Sequence, residues 1–324
     1  MTPKQRFESA MRFHKPDGPV AFMELEFQIY KEYIGKEPVV GFDFVKLSPT
    51  ERERALFYNA EIMVETAERA GHDAIKDINW YWEVAPGTPA YLWLPDEESR
   101  LNQIRALKKV AGDQYFIIGT CSGMMNIPDG EHIDDFVIEL FEAPRKLKNK
   151  YEKMLLEGIE QQHRLLAAGA DGLLAPCDVA FNSGTFISPA QMDEFFFPYL
   201  NRWVENLRKQ NVISIWHTDG NILSVIDRTI ASGVTAIQCV DPLGGMDIVE
   251  VKKRVGGKLA LIGNIDCSLL QFGPAEEIER EVKRVIDGCE DGGGFVLSGC
   301  NAIFRGIPAE HYQVMVDARN KYSK

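Results

Sequence analysis

The stretch "VISIWHTDGN", residues 212–221, decides the fold and points to the chemistry of the chain. Its first five residues are apolar except for one serine, which suits a buried β-strand. His217 and Asp219 then follow two residues apart, and Gly220 ends the run because glycine tolerates a sharp bend of the backbone. A buried strand that ends in an imidazole and a carboxylate indicates that the strand exit carries functional side chains.

Eight apolar runs of this kind alternate with helical stretches along the chain. Parallel strands need helical crossovers between them, so the alternation predicts an α/β fold, a (β/α)8 TIM barrel formed as one domain over residues 1–324. A doubly wound sheet is the alternative, but no Gly-rich GxGxxG turn supports it. The eight predicted strands cover residues 20–24, 74–78, 116–121, 171–176, 212–217, 236–241, 259–266 and 294–300.

Two helical signals refine this prediction. Ser188, Pro189 and Gln191 provide an N-cap, a first-turn proline and a capping-box partner, so a helix begins there. The connection between the second and third strands is long for a single crossover and contains the helical pattern of residues 96–110. We expect this insertion to form a wall or lid over the barrel mouth.

The composition excludes several classes of partner. The chain has 324 residues, is 45% hydrophobic and carries a net charge of −12, whereas nucleic-acid binding requires clustered basic residues. No apolar run approaches the roughly 18 residues of a membrane span, and the charged N-terminus does not resemble a signal peptide. Its six cysteines form no CxxC pair, which favours a reducing cytoplasm as the location.

Nearly every predicted strand ends in a titratable or metal-competent side chain, where a purely structural strand end would carry Gly, Ser, Asn or Pro. In a TIM barrel the active site lies at these C-terminal strand ends, so their convergence indicates an enzyme. The residues concerned are Glu24, Asp77, Cys121, Cys177, Asp178, His217, Asp219, Asp241, Asn264, Asp266 and Cys300.

His217, Asp219 and the distant Cys300 together offer the nitrogen, oxygen and sulfur ligands that Zn²⁺ accepts. The alternative is structural: the histidine could simply hydrogen-bond to Asp219, and the cysteine could be a small buried residue. The sequence leaves both interpretations open. The other cysteines of the second half are interpreted as packing residues, namely Cys239, Cys267 and Cys289.

The aromatic segment "NWYWEV", residues 79–84, follows Asp77 directly. Trp80 and Trp82 alternate and could form a flat apolar wall for an aromatic substrate, or equally a lid packed on the barrel rim. Asp77 itself is either a catalytic carboxylate or a salt-bridged loop acid.

Four segments resemble the uroporphyrinogen decarboxylase superfamily in its cobalamin-dependent methyltransferase branch, over essentially the whole chain. "MTPKQRFESAMRFHKPDGPV" resembles the N-terminal helix of that family, and "WHTDGNI" resembles its His-x-Cys/Asp-Gly turn. "DVAFNSGTFISPAQMDEFFFPYL" and "LSGCNAIFRGIPAEH" are similar to the segments of the fourth and eighth strands. Asp77 matches the position of the family's catalytic aspartate.

The chain departs from the family pattern at two places. Uroporphyrinogen decarboxylases carry an arginine-rich segment near the first strand, whereas this chain has the acidic and apolar "AFMELEFQIY", residues 21–30. The thiol-directed methyltransferases bind zinc through His-x-Cys and a later cysteine. Here His217 and Cys300 match these ligands, but Asp219 replaces the first cysteine.

The resemblance implies a methyltransferase that moves a methyl group from a methoxylated aromatic to cob(I)alamin on a partner corrinoid protein, as similar proteins of anaerobes do. A zinc ion with fewer thiolate ligands is a better Lewis acid, which suits an ether oxygen. No Asp-x-His-x-x-Gly motif is present, so the cobalamin is expected on the partner.

The resemblance also implies roles for individual residues. The expected catalytic residues are Asp77, His217 and Asp219; the expected substrate-binding residues are Trp80, Trp82, Phe181 and Asn182; the expected zinc ligands are His217, Asp219 and Cys300. Three alternatives remain: methyl transfer from a methylcorrinoid to a thiol, decarboxylation of a porphyrin-like acid, and ligand binding without catalysis.

Overall fold

Eight parallel strands form one sheet that wraps into a barrel, in a computed structural model that describes residues 1–78, 92–128 and 130–323. From β2 to β8 each strand pairs with the next one along the chain, and β8 pairs with β1, which confirms the TIM barrel and excludes the doubly wound order. All eight predicted strands are present. They are β1 (Ala21–Phe22), β2 (Ala74–Lys76), β3 (Phe116–Thr120), β4 (Gly172–Pro176), β5 (Ile213–His217), β6 (Ala236–Gln238), β7 (Ala260–Ile265) and β8 (Phe295–Gly299).

The helices surround this sheet, and none of those described is long and apolar enough to cross a membrane. They are α1 (Pro3–Met11), α2 (Tyr30–Ile34), α3 (Gly41–Val45), α4 (Pro49–Ala70), α5 (Glu97–Ala111), α6 (Ile133–Glu142), α7 (Pro144–Ala168), α8 (Pro189–Phe195), α9 (Phe197–Arg208), α10 (Ile226–Ser232), α11 (Ile248–Val255), α12 (Cys267–Phe272), α13 (Ala275–Cys289) and α14 (Ala309–Tyr322). The predicted start of α8 is confirmed, with Ser188 and Gln191 forming the capping box.

The long connection between β2 and β3 contains the predicted helix. Helix α5 starts where the Asp96 side chain accepts a hydrogen bond from the Ser99 backbone, and it packs against α4 and α7 in the outer ring. Helix α5 is therefore the ordinary crossover helix. Residues 79–91 of the connection lie outside the described residues, so the wall or lid over the mouth stays a prediction. Trp80 and Trp82 lie in the same connection, outside the described residues.

Helix α1 plugs the N-terminal end of the barrel. A capping box at Thr2 starts this helix, and Phe7 and Met11 on it are buried. The Phe7 ring lies 4.7 Å from the Phe116 ring at the start of β3, measured between centroids. The bottom of the barrel is thus filled by apolar contacts, which leaves the opposite end for the site.

The seam between β1 and β2 is closed by Asp73. Its backbone N–H donates to the Phe22 carbonyl over 2.7 Å, and its carboxylate accepts from the Phe22 N–H over 2.9 Å. Arg6 of α1 and Arg319 of α14 donate to the same buried carboxylate, over 2.5 Å and 3.2 Å. Burial raises the pKa of Asp73 to about 6 although both guanidinium groups oppose the shift. One carboxylate therefore links both ends of the chain to the sheet.

We expect Asp73→Asn to lower the free energy of unfolding by about 3 kcal/mol or more. The amide keeps the size of the side chain but leaves the buried Arg319 and the partly buried Arg6 without a counter-charge. Urea unfolding followed by circular dichroism measures the change. Asp113→Asn, at an exposed acid that pairs with Lys108, is the control and should stay within about 0.5 kcal/mol of the parent. Equal losses in the two variants would contradict the assigned role of Asp73.

Candidate functional site

The turn after β5 brings His217 and Asp219 to the barrel mouth. Gly220 adopts φ +80°, and a Cβ atom there would lie 2.6 Å from the Ala180 carbonyl oxygen, so only glycine fits. That carbonyl belongs to a short hairpin after β4, in which Ala180–Phe181 pairs with Gly184–Thr185. The Asn221 N–H donates to the Phe181 carbonyl over 2.9 Å. The hairpin thus fixes the backbone of the turn from the side of β4.

The imidazole of His217 is oriented by Gln238, the residue that pairs with it on β6. The Gln238 amide nitrogen donates to the Cys300 carbonyl over 3.3 Å, which turns its amide oxygen toward the His217 Nδ1 atom. Since an amide oxygen only accepts, this contact places a proton on Nδ1 and leaves Nε2 as the nitrogen that a metal ion can bind in the neutral ring. Sequence reasoning missed Gln238, although its place in a predicted strand next to β5 was a signal.

Two carboxylates face the Nε2 atom of His217. The nearest oxygen of Asp219 lies 3.7 Å from Nε2 and that of Asp178 lies 3.8 Å from it. The Asp219 N–H donates to Asp178 over 2.8 Å, and the Asn301 amide donates to both Asp219 oxygens. Burial raises the pKa of Asp219, and the Asp178 charge adds to this shift against the opposing effect of His217.

This group has the dimensions of a metal centre. One ligand atom from each of Asp178, His217 and Asp219 lies within 4.8 Å of the other two. Zinc bonds to nitrogen and oxygen of about 2.0–2.2 Å place two ligands of a tetrahedral ion roughly 3.4 Å apart. The observed separations of 3.7 and 3.8 Å are near that value. The donor set therefore fits Zn²⁺, and it includes Asp178, which was not predicted as a ligand.

The Cys300 thiol belongs to a neighbouring cluster of sulfur atoms. Its Sγ lies 3.7 Å from the Sγ of Cys267, and Cys239 contacts both Cys300 and Asp219 by side-chain hydrogen bonds. Hydrogen bonds from Cys239 and Cys267 lower the pKa of Cys300. All three cysteines are buried at the exits of β6, β7 and β8. Cys239 and Cys267 thus pack in the core as expected, but beside the site. The zinc role of Cys300 stays a prediction.

Asp77 is a fully paired carboxylate. It accepts from the Arg100 guanidinium over 3.1 Å and from the Thr120 hydroxyl and backbone N–H, and Lys76 lies 3.7 Å away. Burial alone would raise the pKa of Asp77, but the charges of Arg100 and Lys76 and the Thr120 hydrogen bonds outweigh it and lower the pKa. An ionised, saturated carboxylate anchors α5 to β2 and β3, and it is poorly suited to donate a proton.

Glu24 at the exit of β1 differs from Asp77, because its pKa is raised and not lowered. Burial raises the pKa of this carboxyl to about 8, although the Gly299 N–H, Tyr312 and Ser298 hydrogen-bond to it. One oxygen accepts from Gly299 over 2.9 Å and from Ser298 over 3.2 Å, and the other oxygen has no partner. Glu24 lines a cavity of about 40 Å³, room for a single water, together with Glu26 and Lys76. A buried, neutral carboxylic acid therefore stands at this side of the mouth.

The predicted substrate-binding residues are only partly described. Phe181 is 50% exposed and packs edge-on against Phe186 in the hairpin beside the His-x-Asp turn. Asn182 is exposed at the tip of the same hairpin. Trp80 and Trp82 lie outside the described residues, so the aromatic wall stays a prediction.

Replacing Gln238 should weaken zinc binding. We expect Gln238→Leu to lower the affinity for Zn²⁺ by 10- to 100-fold, because the ring loses the acceptor that fixes its tautomer and orientation. Competition with a chromophoric chelator measures the affinity. Gln210→Leu, at an exposed glutamine outside the site, should leave it unchanged. Unaltered binding in Gln238→Leu would show that the orienting hydrogen bond has no role.

The unusual pKa of Glu24 predicts a pH-dependent stability. Between pH 4.5 and about 8 the folded state binds the Glu24 proton and the unfolded state releases it, so stability falls as pH rises through this window. The free energy of unfolding of the parent should fall more steeply than that of Glu24→Gln, by about 1.4 kcal/mol per pH unit. Urea unfolding at pH 5.5, 6.5 and 7.5 tests this, and parallel pH curves for the two proteins would contradict it.

The barrel shape is shared with solved structures of low sequence identity. A methyltransferase from Methanosarcina mazei matches with a TM-score of 0.75 at 16% identity, covering 99% of each chain. A B12-independent methionine synthase from Shewanella sp. W3-18-1 matches with a TM-score of 0.53 at 14% identity, covering 85% of this chain and 89% of that one. At such identities these matches show the fold alone.

The sequence comparisons are more specific. Uroporphyrinogen decarboxylase from Pseudoalteromonas atlantica is 28% identical over 252 residues, which cover 71% of this chain and 66% of that protein. The enzyme of the same name from Actinobacillus pleuropneumoniae is 26% identical over 253 residues, or 71% and 67% of the two chains. The match thus spans about two thirds of each relative. The uroporphyrinogen decarboxylase (URO-D) family model matches residues 98–322, and the chain belongs to that family.

Proposed function

We propose that this protein transfers a methyl group from a methoxylated aromatic compound to cob(I)alamin held by a partner corrinoid protein. The observation that carries the proposal is the group of Asp178, His217 and Asp219 at the barrel mouth, in which Gln238 holds Nδ1 of the imidazole and Nε2 faces two carboxylates. Such a group suits a Lewis-acidic metal ion, and the similarity to the Methanosarcina methyltransferase fold agrees with this class of reaction.

The names of the relatives suggest tetrapyrrole decarboxylation, but the side chains at the exit of β1 do not favour this reaction. A substrate with many carboxylates needs cationic side chains, but this exit carries Glu24 and Glu26, both with a pKa raised first of all by burial. The nearest cation there, Lys76, is engaged by the Asp77 carbonyl and the Thr120 hydroxyl. Residues 1–97 also lie outside the region that the family model matches. Decarboxylation is therefore the second candidate.

The residues of the chain prepare the site in three ways. Gln238 fixes the His217 tautomer, and Asn301 holds both oxygens of Asp219. Asp178 and Asp219 supply two negative charges, which match a divalent ion. Zinc bound by His217 and Asp219 would polarise the ether oxygen of the substrate and so stabilise the departing aryloxide. The attack on the methyl carbon belongs to the corrinoid cosubstrate.

Methyl transfer to a thiol is a third candidate, supported by the cysteine cluster beside the site. Thiol activation requires a zinc ion rich in thiolate ligands, as in the related His-x-Cys enzymes. Here the described ligand group consists of His217 and two carboxylates and contains no thiol. We therefore favour an ether as the methyl donor.

A methyl-transfer assay tests the proposal. The protein is mixed with cob(I)alamin and, in turn, with methoxybenzenes, methylamines and methylthiols, and the methyl–cobalt absorption is followed. We expect a signal with methoxybenzenes and a loss of about 100-fold or more in His217→Ala, since several kcal/mol of charge stabilisation disappear. Cys289→Ala, at a buried cysteine on α13, is the control and should keep the activity.

The same preparation separates the other candidates. Carbon dioxide release from uroporphyrinogen without corrinoid would replace the proposal by decarboxylation. Demethylation of methylcobalamin that depends on an added thiol would replace it by thiol methylation. Binding of corrinoid or aromatic ligands without any turnover would leave a non-catalytic barrel.

A further inference from the structure

We infer that Asp178 is the third protein ligand of the metal centre and that the centre contains no thiolate, so that Zn²⁺ binds to one imidazole and two carboxylates. This inference rests on the proposed function, because it concerns the same site. It assigns a ligand that the spacing of His217, Asp219 and Cys300 does not indicate. It also removes Cys300 from the ligand set implied by the family resemblance.

The position of Asp178 supports the assignment. The residue follows β4, the neighbour of β5 in the sheet, and its carbonyl accepts the Ile127 N–H over 2.7 Å, which fixes its backbone. Its carboxylate accepts the Asp219 N–H over 2.8 Å and lies 3.8 Å from His217 Nε2. Two adjacent strand exits thus direct three ligand atoms to one point.

The His217 ring supplies an independent observation. Its side chain is only 8% exposed, and its Nε2 atom faces carboxylate oxygens 3.7 and 3.8 Å away, beyond the range of a hydrogen bond. A cation between Nε2 and these two oxygens would be coordinated by all three atoms. The carboxylates are about half exposed, at 49% for Asp178 and 41% for Asp219, so the fourth coordination position opens toward the mouth.

The Cys300 thiol lies beside this group, in contact with two other cysteines. The N–H of Cys300 donates to the Ile265 carbonyl over 2.8 Å, and its sulfur lies 3.7 Å from that of Cys267, between β7 and β8. Cys239 stands between Cys300 and Asp219, contacting both. Among the described residues, the Cys300 thiol is not part of the group whose ligand atoms lie within 4.8 Å of one another.

The chemistry of the ligand set is consistent with this separation. Two carboxylates and one neutral imidazole donate less charge to zinc than thiolates do, so the ion keeps more Lewis acidity. Carboxylate and imidazole ligands also bind Co²⁺ in similar geometry, and Co²⁺ reports each thiolate ligand by a sulfur-to-cobalt charge-transfer band. The ligand set can therefore be measured without any assay of turnover.

The test uses the full chain loaded with Zn²⁺ or with Co²⁺. We expect Asp178→Asn to weaken Zn²⁺ binding at least 10-fold, while Cys300→Ser leaves the affinity within 2-fold of the parent. Asp193→Asn is the matched control, an aspartate on α8 with a similar 48% exposure that pairs with Arg228. The Co²⁺ protein should show d–d bands without a thiolate charge-transfer band, in the parent and in Cys300→Ser alike.

A charge-transfer band that disappears in Cys300→Ser or in Cys239→Ser would overturn the inference and restore a thiolate ligand. Equal zinc affinity in Asp178→Asn and the parent, or no zinc binding by the parent, would also overturn it. Far-ultraviolet circular dichroism confirms that each variant is folded. If Asp178 binds zinc but no methyl donor is demethylated, the proposed function fails while the ligand assignment stands. If methyl transfer is observed together with a charge-transfer band that depends on Cys300, the ligand assignment fails while the proposed function stands.

Discussion

The closure of the barrel at Asp73 is the constraint on which the site depends. Strands β1 and β2 meet through the Asp73 backbone and carboxylate, and the same carboxylate receives Arg6 and Arg319 from helices at the two ends of the chain. A ring of strands holds residues far apart in sequence at fixed positions on one rim only while the ring is closed. The hydrogen bond from Gln238 to Cys300 connects β6 with the exit of β8 across this rim.

Three buried acids show how environment rather than residue type decides their chemistry. Asp73 is shielded by two guanidinium groups and closes the seam, while Asp77 is held ionised by Arg100 and Lys76. Glu24 has hydrogen bonds but no paired cation, so burial dominates and keeps it protonated to about pH 8. Asp77 thus anchors α5 to the sheet in its ionised form, and its catalytic role stays a prediction. The acid with a proton to donate near neutral pH lies one strand away, at Glu24.

Much of the fold could be predicted from the sequence because strand and helix periodicities are local. Each of the eight apolar runs became a strand, and the capping box at Ser188 began a helix as expected. The partners of α5 could not be predicted, because a helical pattern shows an apolar face but not the element that covers it. The packing of α5 between α4 and α7 is set by the closed ring.

The candidate site was predicted in part, for a related reason. His217 and Asp219 share one turn, so their proximity follows from local geometry. Asp178 and Gln238 reach the imidazole only through the register of β4 and β6 against β5, which a single sequence does not show. The proximity of the thiols of Cys239, Cys267 and Cys300 could not be predicted either, because these residues follow three different strands.

Asp219 stands where the similar thiol-directed methyltransferases have a cysteine. In the proposed centre this difference affects the neighbouring residues as well as the ligand itself. A thiolate at this position would give the ion a soft, electron-rich neighbour, whereas a carboxylate needs hydrogen-bond donors to hold its oxygens. Asn301 provides such donors and follows Cys300 directly, so the eighth strand contributes to the centre through its amide even without its sulfur. With the Asp178 carboxylate on the other side, the acidic ligand at 219 is supported from both β4 and β8. The proposed centre would therefore bind its ion through oxygen ligands, and an ether oxygen is the kind of weak base that such an ion polarises.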